Sequence, residues 1–373
     1  MKVLYVTTYD SSDVNQWSGL GYYIRKAIEA QGFDVHPFRV AGEYSVTVRA
    51  KRRLYGLAGR GYLIEREPSL VKKWSRQVEQ AAKSVRPDVI FCPGTTPVAF
   101  VDTHHPLVIY GDATFDGLLD VFPSYSNLSN ETKKKGRMIE QQAMNNCSLA
   151  IFASEWAATT ARDYYKAPNV SVVPFGANIE CARSADEVEG LIESRPTNEC
   201  RMLFAGVNWK NKGGDYALSV VSELNRRGLK TTLDILGCIP PSEPPAFAKV
   251  HGFVSKRTEE GRRRIDELFA RAHFLILPTL ADCYGVVFCE ASSFGVPSLT
   301  NAVAGTTTPV KNGRNGISFS LDAEPGEWCD AILGVLGNYR EFALASFTEY
   351  ESRLNWNVSG KQLKPLLENF SMS

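Results

Sequence analysis

The stretch Phe274-Leu-Ile-Leu-Pro-Thr-Leu-Ala-Asp-Cys-Tyr-Gly-Val-Val-Phe-Cys-Glu-Ala-Ser-Ser-Phe-Gly-Val-Pro297 predicts a strand, a loop and a helix in succession. The apolar run before Pro278 is typical of a buried parallel strand that a proline closes. The helix is predicted over 286–294, where Gly295 and Pro297 end it. Units of this kind build α/β sheets, which bind ligands at the carboxyl ends of their strands.

Two acids lie in this stretch. Glu290 is in the middle of a helix whose other side chains are nearly all apolar or small, so the helix is predicted to be buried all round. A buried carboxylate is costly unless it has a partner, and a ligand hydroxyl is one candidate. A cap on a neighbouring backbone group or a pair with an arginine is the alternative. Asp282, eight positions upstream across Gly285, favours a ligand site.

The composition limits the class of protein. A chain of 373 residues, 44% of them hydrophobic, is too long for one core and predicts two domains. The net charge of +1 argues against a nucleic-acid binder. Eight cysteines without a Cys-x-x-Cys pair are typical of reduced thiols in the cytosol, and not of a zinc site or disulfide framework. The amino terminus resembles neither a signal peptide nor a membrane span. The expected location is the cytoplasm, or a membrane surface facing it.

Strand-like apolar runs alternate with helical patterns in both halves of the chain, which predicts parallel sheets with helices on both faces. The predicted strands are Val3–Thr7, Val35–Val40, Val89–Cys92, Leu107–Tyr110, Leu149–Ala153, Val170–Val173, Met202–Ala205, Thr231–Leu236, Phe274–Leu277 and Ser298–Thr300. Residues 179–200 are polar and charged, as a connection between domains would be. We therefore predict two Rossmann-like domains facing each other across a cleft, at 1–178 and 179–349, and a helical tail over 350–373.

Two glycine-bearing loops are candidate phosphate sites. Gly19 and Gly21 follow the first strand and open a helix, so backbone amides there are able to approach an anion. A tight turn without a ligand is the alternative, and Ile24 replaces the third glycine of a dinucleotide fingerprint. In the second half, Lys210 and Lys212 lie between strand and helix, where lysine charges suit phosphate. An exposed basic turn is the alternative there.

Together with Gly285 and the amino terminus of the helix that follows it, Lys212 is predicted to hold a diphosphate without a metal. The second half offers no Asp-x-Asp spacing of the kind that a magnesium–diphosphate site uses.

The chain resembles the retaining glycosyltransferases of family four, which have the GT-B fold. The resemblance covers nearly the whole length and includes a paired-acid signature with Asp282 and Glu290 at its two acid positions. The segments that carry it are 17–21, 153–156, 172–178, 206–214, 252–254 and 282–297.

The resemblance implies a role for each matching residue. Glu290 would bind ribose hydroxyls, Asp282 would bind hydroxyls of the transferred sugar, and Lys212 would bind the leaving diphosphate. The tail helix would return to the first domain. The remaining implied contacts are the amides of Gly285, Val286 and Val287 on the diphosphate, the loop at Gly19 over the phosphates, and the backbone of Gly252, Phe253 and Val254 near the base.

The chain departs from the family pattern at three places. The usual diphosphate arginine has no clear equivalent, and Lys210 is the candidate substitute. The first acid is an aspartate, one methylene shorter than the family's glutamate. Gly111 stands where many relatives carry a histidine near the anomeric carbon, so Asp112 becomes the candidate polar group there. A plain Asx turn after the strand is the alternative for Asp112.

The resemblance implies a retaining, metal-independent glycosyltransferase with no cofactor beyond its donor, a UDP- or GDP-linked sugar. The acceptor would be a glycan, a lipid-linked glycan or a small molecule. A sugar-nucleotide-binding protein without activity is one alternative, because the histidine and arginine equivalents are absent. A nicotinamide-dependent oxidoreductase is the other, and Ile24 and the apolar end of the second predicted strand (Val40, Ala41) disfavour it.

A basic cluster lies in the first half of the chain: Arg49, Lys51, Arg52, Arg53, Arg60 and Arg66. A solvated loop is the ordinary interpretation of such a cluster. An anionic acceptor or an acidic membrane surface is the functional alternative, and peripheral membrane contact therefore stays among the expected partners.

Overall fold

The computed structural model describes residues 1–42, 44–180 and 183–370. The chain forms two compact units. The first unit comprises Met1–Pro174 together with Ser359–Ser373, and the second comprises Phe175–Val358. The two predicted α/β domains are therefore present, with the first change of unit at Pro174.

The first unit is built on a six-stranded parallel sheet with the order β2-β1-β3-β4-β5-β6. Its strands are β1 (Lys2–Thr7), β2 (Asp34–Arg39), β3 (Val89–Cys92), β4 (Leu107–Gly111), β5 (Leu149–Phe152) and β6 (Val170–Val172). Its helices are α1 (Leu20–Ala30), α2 (Val46–Leu57), α3 (Pro68–Val85), α4 (Phe115–Leu118), α5 (Asn130–Asn146) and α6 (Glu155–Asp163). β3 and β5 are buried at every position, as apolar strands covered on both faces should be.

The second unit repeats this architecture, with the strand order β12-β11-β10-β7-β8-β9, all parallel. Its strands are β7 (Cys200–Ala205), β8 (Thr231–Leu236), β9 (Ala248–Gly252), β10 (Phe274–Leu277), β11 (Ser298–Asn301) and β12 (Gly316–Phe319). Its helices are α7 (Ala185–Glu193), α8 (Gly214–Arg226), α9 (Glu259–Arg271), α10 (Val286–Ser292), α11 (Pro325–Leu336) and α12 (Tyr339–Arg353).

The ten predicted strands are all confirmed, with ends that differ by two residues at most. The sequence did not predict β9 and β12, which are the two edge strands of the second sheet. Edge strands are short and partly exposed, so they lack the continuous apolar run that marks a central strand. The polar segment 179–200 contains α7, whose Val188 and Ile192 pack on α12.

The tail, predicted over 350–373, was expected to return to the first domain. Residues 350–358 belong to the second unit, and the return begins at Ser359. The last helix of the tail, α13, spans Trp356–Glu368. The Ser359 hydroxyl donates to the carbonyl of Pro174 over 2.7 Å. Gly360 lies so close to the carbonyl of Ala27 that an added Cβ would come within 2.9 Å of it. Residues 371–373 of the predicted tail lie outside the described residues.

Seven cysteines lie in the described part of the chain, and all seven are free thiols. The eighth, Cys181, falls outside it. Within the same residues, no helix combines the length and the apolar character that crossing a bilayer requires.

Candidate active site

A lysine and an acid meet at the carboxyl edge of the second sheet. Lys212 follows β7 and Asp282 follows β10, two strands that are neighbours in the sheet. The Lys212 ammonium donates to Asp282 Oδ2 in a direct ion pair, and both side chains are mostly buried. The two residues that the sequence selected from segments 70 positions apart are therefore in contact.

Backbone and side-chain hydrogen bonds fix these two loops to each other. Asn211 donates through Nδ2 to the carbonyl of Ala281 over 3.1 Å and accepts from the amide of Leu280 over 2.9 Å. Gly213 has φ 74°, and an added Cβ would come within 2.0 Å of the Pro278 carbonyl oxygen. Only glycine fits a position that combines this backbone conformation with such a close approach. The Lys212–Asp282 pair is therefore held by a rigid frame.

The loop that carries Asp282 runs directly into helix α10. Gly285, with φ 84°, is the residue before the helix, and a Cβ placed there would be 3.4 Å from Asp282 Oδ2 and 2.3 Å from the Phe288 ring. The first-turn amides of Val286 and Val287 have no acceptor within a helix that starts at this point. Glu290 follows five residues after Gly285, about 7.5 Å further along the helix axis.

Glu290 is almost fully buried and has a lysine partner that the sequence did not reveal. Its Oε1 accepts from Lys256 Nζ over 2.5 Å, and the exposed fractions of the two side chains are 8% and 24%. Lys256 also donates to the carbonyl of Asn178 over 3.0 Å. Glu290 was expected to have a ligand hydroxyl or an internal partner, and the structure shows an internal ion pair with a lysine in place of an arginine.

Lys256 lies four residues beyond β9, the edge strand that the sequence did not predict. Without that strand, the segment 252–256 could be placed near the candidate base site only through the family resemblance. A charged residue in the loop that follows a strand of a parallel sheet is the signal that would have identified Lys256.

The other predicted residues of this unit lie on the same edge of the sheet, after the ends of β7 and β9. Lys210 is exposed in the loop after β7. Gly252, with φ 63°, is the last residue of β9, and its carbonyl accepts from the Gly237 amide over 2.7 Å. Phe253, next in the chain, is 66% exposed, and Val254 packs against the core of the unit.

The Cys289 thiol lies beside Glu290 but is no candidate nucleophile. It is fully buried and donates to the carbonyl of Phe175 over 3.6 Å. Burial raises the pKa of Cys289 to about 12, so the thiol stays protonated at neutral pH.

In the first unit, Asp112 lines a cavity of about 130 Å³ at the carboxyl ends of β3, β4 and β5. The same cavity contains Arg66 and Glu140, which form a buried ion pair of 2.7 Å between NH1 and Oε2. Thr95 donates to the same Glu140 oxygen over 2.8 Å. Arg66 was predicted to belong to the basic surface cluster, and this is wrong: its side chain is buried, because Glu140 neutralises it.

The two glycines of the first loop have different surroundings. Gly19 is the residue before α1 and has φ 89°, a backbone conformation that glycine adopts without strain. Gly21 lies against the Tyr9 ring, where a Cβ would approach within 2.4 Å, so its close contact is with a side chain. Burial raises the pKa of the Tyr9 phenol well above its usual value, and nearby Cys92 and Asp112 add to this shift.

The described residues contain no group of three or more His, Cys, Asp or Glu side chains placed to hold a metal ion. Lys212 and Lys256 each pair with an acid at this edge of the second sheet, and Lys210 is exposed in the same loop as Lys212.

Two family models match the chain, one on each half. The model described as Glycosyltransferase Family 4 matches residues 22–180. The model described as Glycosyl transferases group 1 matches residues 199–338.

Curated relatives carry the name D-inositol 3-phosphate glycosyltransferase. The protein of Nocardioides sp. is 30% identical over 224 residues, which are 57% of this chain and 45% of that protein. The protein of Corynebacterium efficiens is 23% identical over 248 residues, covering 62% of this chain and 58% of that one. The matched part of the chain thus spans about half the length of these relatives.

Solved structures with the same fold match over the whole chain. Sucrose-phosphate synthase from Thermosynechococcus elongatus aligns with a TM-score of 0.70 at 14% identity, covering 100% of both chains. Anabaena HepE, solved in complex with UDP-glucose, aligns with a TM-score of 0.62 at 15% identity, covering 99% of this chain and 100% of that one. Likeness at such low identity shows the fold.

Proposed function

Because the chain belongs to the glycosyltransferases of family 4 and group 1, we propose that it transfers a sugar from a nucleotide-linked donor to a hydroxyl-bearing acceptor. The proposal rests on the contact between Lys212 and Asp282 at the carboxyl edge of the second sheet. Helix α10 begins at the same edge and contains the buried Glu290. The proposal assigns phosphate binding to Lys212 and hydroxyl binding to Asp282 and Glu290.

In this proposal the diphosphate of the donor binds at Lys212. The Lys212 side chain is held by Asp282, so a ligand that binds there meets an ammonium group already in position. Lys210, exposed on the same loop, adds a second positive charge. The amides of Gly285, Val286 and Val287 supply further donors, since the first turn of a helix leaves its N–H groups without helical partners.

The acids bind the hydroxyl groups of the donor. Asp282 accepts from hydroxyls of the transferred sugar, next to the phosphates that Lys212 binds. Glu290 accepts from the ribose hydroxyls, and its pair with Lys256 fixes the position of its carboxylate. The backbone of Gly252, Phe253 and Val254 lies near the base, and the exposed Phe253 ring offers an apolar surface to it.

The chemistry follows from the charges that develop during transfer. Cleavage of the bond between the sugar and the diphosphate creates an oxocarbenium-like carbon and a leaving group with an additional negative charge. Fixed donors and cations stabilise such a leaving group, and removing one of them typically costs about 3 kcal/mol of transition-state stabilisation. The reaction is proposed to be retaining and metal-independent, with the leaving phosphate accepting the proton of the attacking hydroxyl.

The acceptor is proposed to bind to the first unit. Asp112 lines the cavity at the carboxyl ends of its strands and is the candidate polar group near the reacting carbon. Glycans, lipid-linked glycans and small hydroxylated molecules are the acceptor classes. Since curated relatives are named for D-inositol 3-phosphate, that compound belongs in the first set of acceptors to be tested.

The test begins with binding. UDP- and GDP-linked sugars are compared with NAD and NADP in a thermal-shift assay, and the donor that raises Tm is carried into a transfer assay. We expect Lys212→Met to lower turnover at least about 100-fold, because the leaving diphosphate loses its cation. The exposed Lys249, in β9, provides the matched control Lys249→Met, which should keep its turnover.

Three outcomes distinguish the candidate functions. Equal turnover of Lys212→Met and the parent, with equal Tm values, would contradict the proposed role of Lys212. Binding of a sugar nucleotide without any glycoside product from the acceptor set would favour a binding protein. A thermal shift with NAD or NADP alone would favour an oxidoreductase.

A further inference from the structure

Helix α2 has its apolar side turned outward. Ordinary surface helices bury their apolar stripe and expose their charges. In α2, Val46, Leu54 and Leu57 are 79%, 65% and 81% exposed. At about 100° per residue, these three side chains and Ala50 lie within about 80° of one another on the helix surface. They form one stripe, which we call the α2 stripe: Val46, Ala50, Leu54 and Leu57.

The opposite side of α2 is held to the body of the unit by polar contacts. Tyr55 stacks on Tyr62 with 5.1 Å between ring centroids, and its hydroxyl donates to Glu131 over 2.8 Å. Lys51 donates to the other oxygen of Glu131 over 2.6 Å. Val48 is the one buried residue of the helix. The orientation of α2 is therefore fixed by its inner contacts, and the exposure of the α2 stripe follows from them.

Arginines adjoin the α2 stripe. Arg53 lies about 20° from Val46 around the helix and Arg49 about 60° from it. Arg53 is exposed and makes no ion pair with any residue that the structure describes, whereas Arg52 lies about 160° from the middle of the stripe, on the opposite side of the helix. Arg49 has its guanidinium 6.0 Å from the centroid of the exposed Tyr44 ring. Apolar side chains beside arginines are the composition of helices that lie in a bilayer interface.

The charge of this segment differs from that of the rest of the chain. Residues 44–64 contain five basic residues and no aspartate or glutamate, in a chain whose net charge is +1. The cluster was predicted to be a solvated loop. Its members from Arg49 to Arg53 are exposed, as predicted, but they belong to a helix. An anionic surface with an apolar layer beneath it complements both features of the helix at once.

We propose that α2 docks the first unit onto a bilayer surface with anionic headgroups. The side chains of Val46, Leu54 and Leu57 enter the apolar boundary beneath the headgroups, and Arg49 and Arg53 contact the lipid phosphates. The docking uses no residue of the candidate active site, so it holds or fails independently of the proposed transfer reaction.

The test is co-sedimentation of the full chain with lipid vesicles. One set contains phosphatidylcholine alone, and the other includes about 30% phosphatidylglycerol, which gives it a negative surface. We expect the chain to sediment with the anionic vesicles and to remain in the supernatant with the neutral ones. Salt at about 0.5 M should weaken the binding, since it screens the arginine contacts. Equal binding to both vesicle sets would overturn the proposal.

Two double variants separate the charged and the apolar contributions. Arg49→Glu/Arg53→Glu should lower binding to the anionic vesicles at least about tenfold. Leu54→Ser/Leu57→Ser should also lower it at least about tenfold, because the apolar insertion is lost. Both changes are on exposed positions, so far-UV circular dichroism and Tm should stay at parent values. Binding of either folded variant at the level of the parent would overturn the proposal.

Matched controls come from other exposed positions. Lys83→Glu/Lys134→Glu makes the same change of net charge on the first unit but away from α2 and should bind vesicles as the parent does. Leu321→Ser, at an exposed leucine of the second unit, is the apolar control. An equal loss of binding in these controls would show a nonspecific effect of charge or polarity and would overturn the assignment to α2.

Two other binding partners for the α2 stripe and its arginines are tested with the same variants. A free polyanion such as heparin is one of these partners. If heparin binds the chain, Arg49→Glu/Arg53→Glu abolishes this binding and the vesicles fail to sediment the parent, the site binds a polyanion and the proposal is overturned. If the chain alone self-associates in analytical ultracentrifugation and Leu54→Ser/Leu57→Ser makes it monomeric, a second copy covers the stripe. That result would also overturn the proposal.

Discussion

Lys256 and Glu290 allow a sharp test of the candidate donor site, because two interpretations of Glu290 predict different results. Glu290 either binds a ligand or serves only as one half of a buried ion pair. A double-mutant cycle with Lys256→Met, Glu290→Gln and the combination of both separates these roles. Methionine keeps most of the lysine's apolar length, and glutamine keeps the shape of glutamate while removing its charge.

The stability effect is worked from the geometry of the pair. At 2.5 Å and an effective dielectric constant of about 20, the attraction of two unit charges is about 7 kcal/mol. Desolvation of two mostly buried ions consumes much of this. We expect each single variant to lose about 2 to 3 kcal/mol of the free energy of unfolding, because it leaves one buried charge unpaired. The double variant should lose about 2 kcal/mol less than the sum of the two.

Equilibrium unfolding in urea provides the measurement. Tryptophan fluorescence and far-UV circular dichroism should give coincident transitions before free energies are compared, since a chain of two units need not unfold in one step. Lys249→Met/Glu243→Gln is the matched control, with the same two chemical changes at exposed positions. Additive single effects, within about 0.5 kcal/mol, would refute the coupling of the pair.

Donor affinity then distinguishes the two roles. A carboxylate that binds ribose hydroxyls contributes about 1.5 to 3 kcal/mol, so Glu290→Gln should raise the Kd for the donor about 10- to 100-fold. The double variant should be equally impaired, although no buried charge is stranded in it. If the double variant binds the donor like the parent, Glu290 is only a structural partner of Lys256, and its proposed ribose contact is refuted.

Three further outcomes are expected. Burial lowers the pKa of His273 to about 4, below the usual value of about 6.5 for the unfolded chain, so stability should fall by up to about 3 kcal/mol as the pH drops from 6.5 to 4. His273→Asn should flatten that slope in urea unfolding at several pH values, whereas the exposed His104→Asn should not. Gly213→Ala should lower Tm and weaken donor binding, because the new methyl group overlaps a carbonyl of the loop after β10, and an unchanged Tm would contradict this contact. Glu140→Gln should cost about 3 kcal/mol in urea unfolding by stranding a buried guanidinium, and a cost below about 1 kcal/mol would show that the pair is not coupled.

The sequence predicted the central strands well because their signal is local. Four consecutive apolar residues, such as Phe274–Leu277, are sufficient where both faces of a strand are covered. The edge strands β9 and β12 were not predicted, because an edge position tolerates polar residues such as Lys249 and His251. Helix α7 was not predicted either, because only Val188 and Ile192 in it are buried and its exposed residues have the composition of a connection between domains.

The candidate site was predicted in part. The resemblance assigned Lys212 and Asp282 to one donor site. Their direct contact depends on the order of the strands in the sheet, which sequence spacing alone does not give. Two ion-pair partners, Lys256 of Glu290 and Glu140 of Arg66, were not predicted. The members of these pairs are 34 and 74 positions apart in the sequence, and only tertiary packing brings them together. Helix α2 was not predicted, although Val46, Ala50, Leu54 and Leu57 recur at a helical spacing. The basic residues between them favoured the interpretation as a solvated loop.

The return of the last helix to the first unit has a consequence for synthesis. A ribosome produces β1 to β6 well before Ser359, so the portion of the chain made first still lacks a packing element when the second unit is already complete. Until α13 emerges, the surface around Ala27 that receives Gly360 stays uncovered. The unit that begins first in translation is therefore the last to be finished.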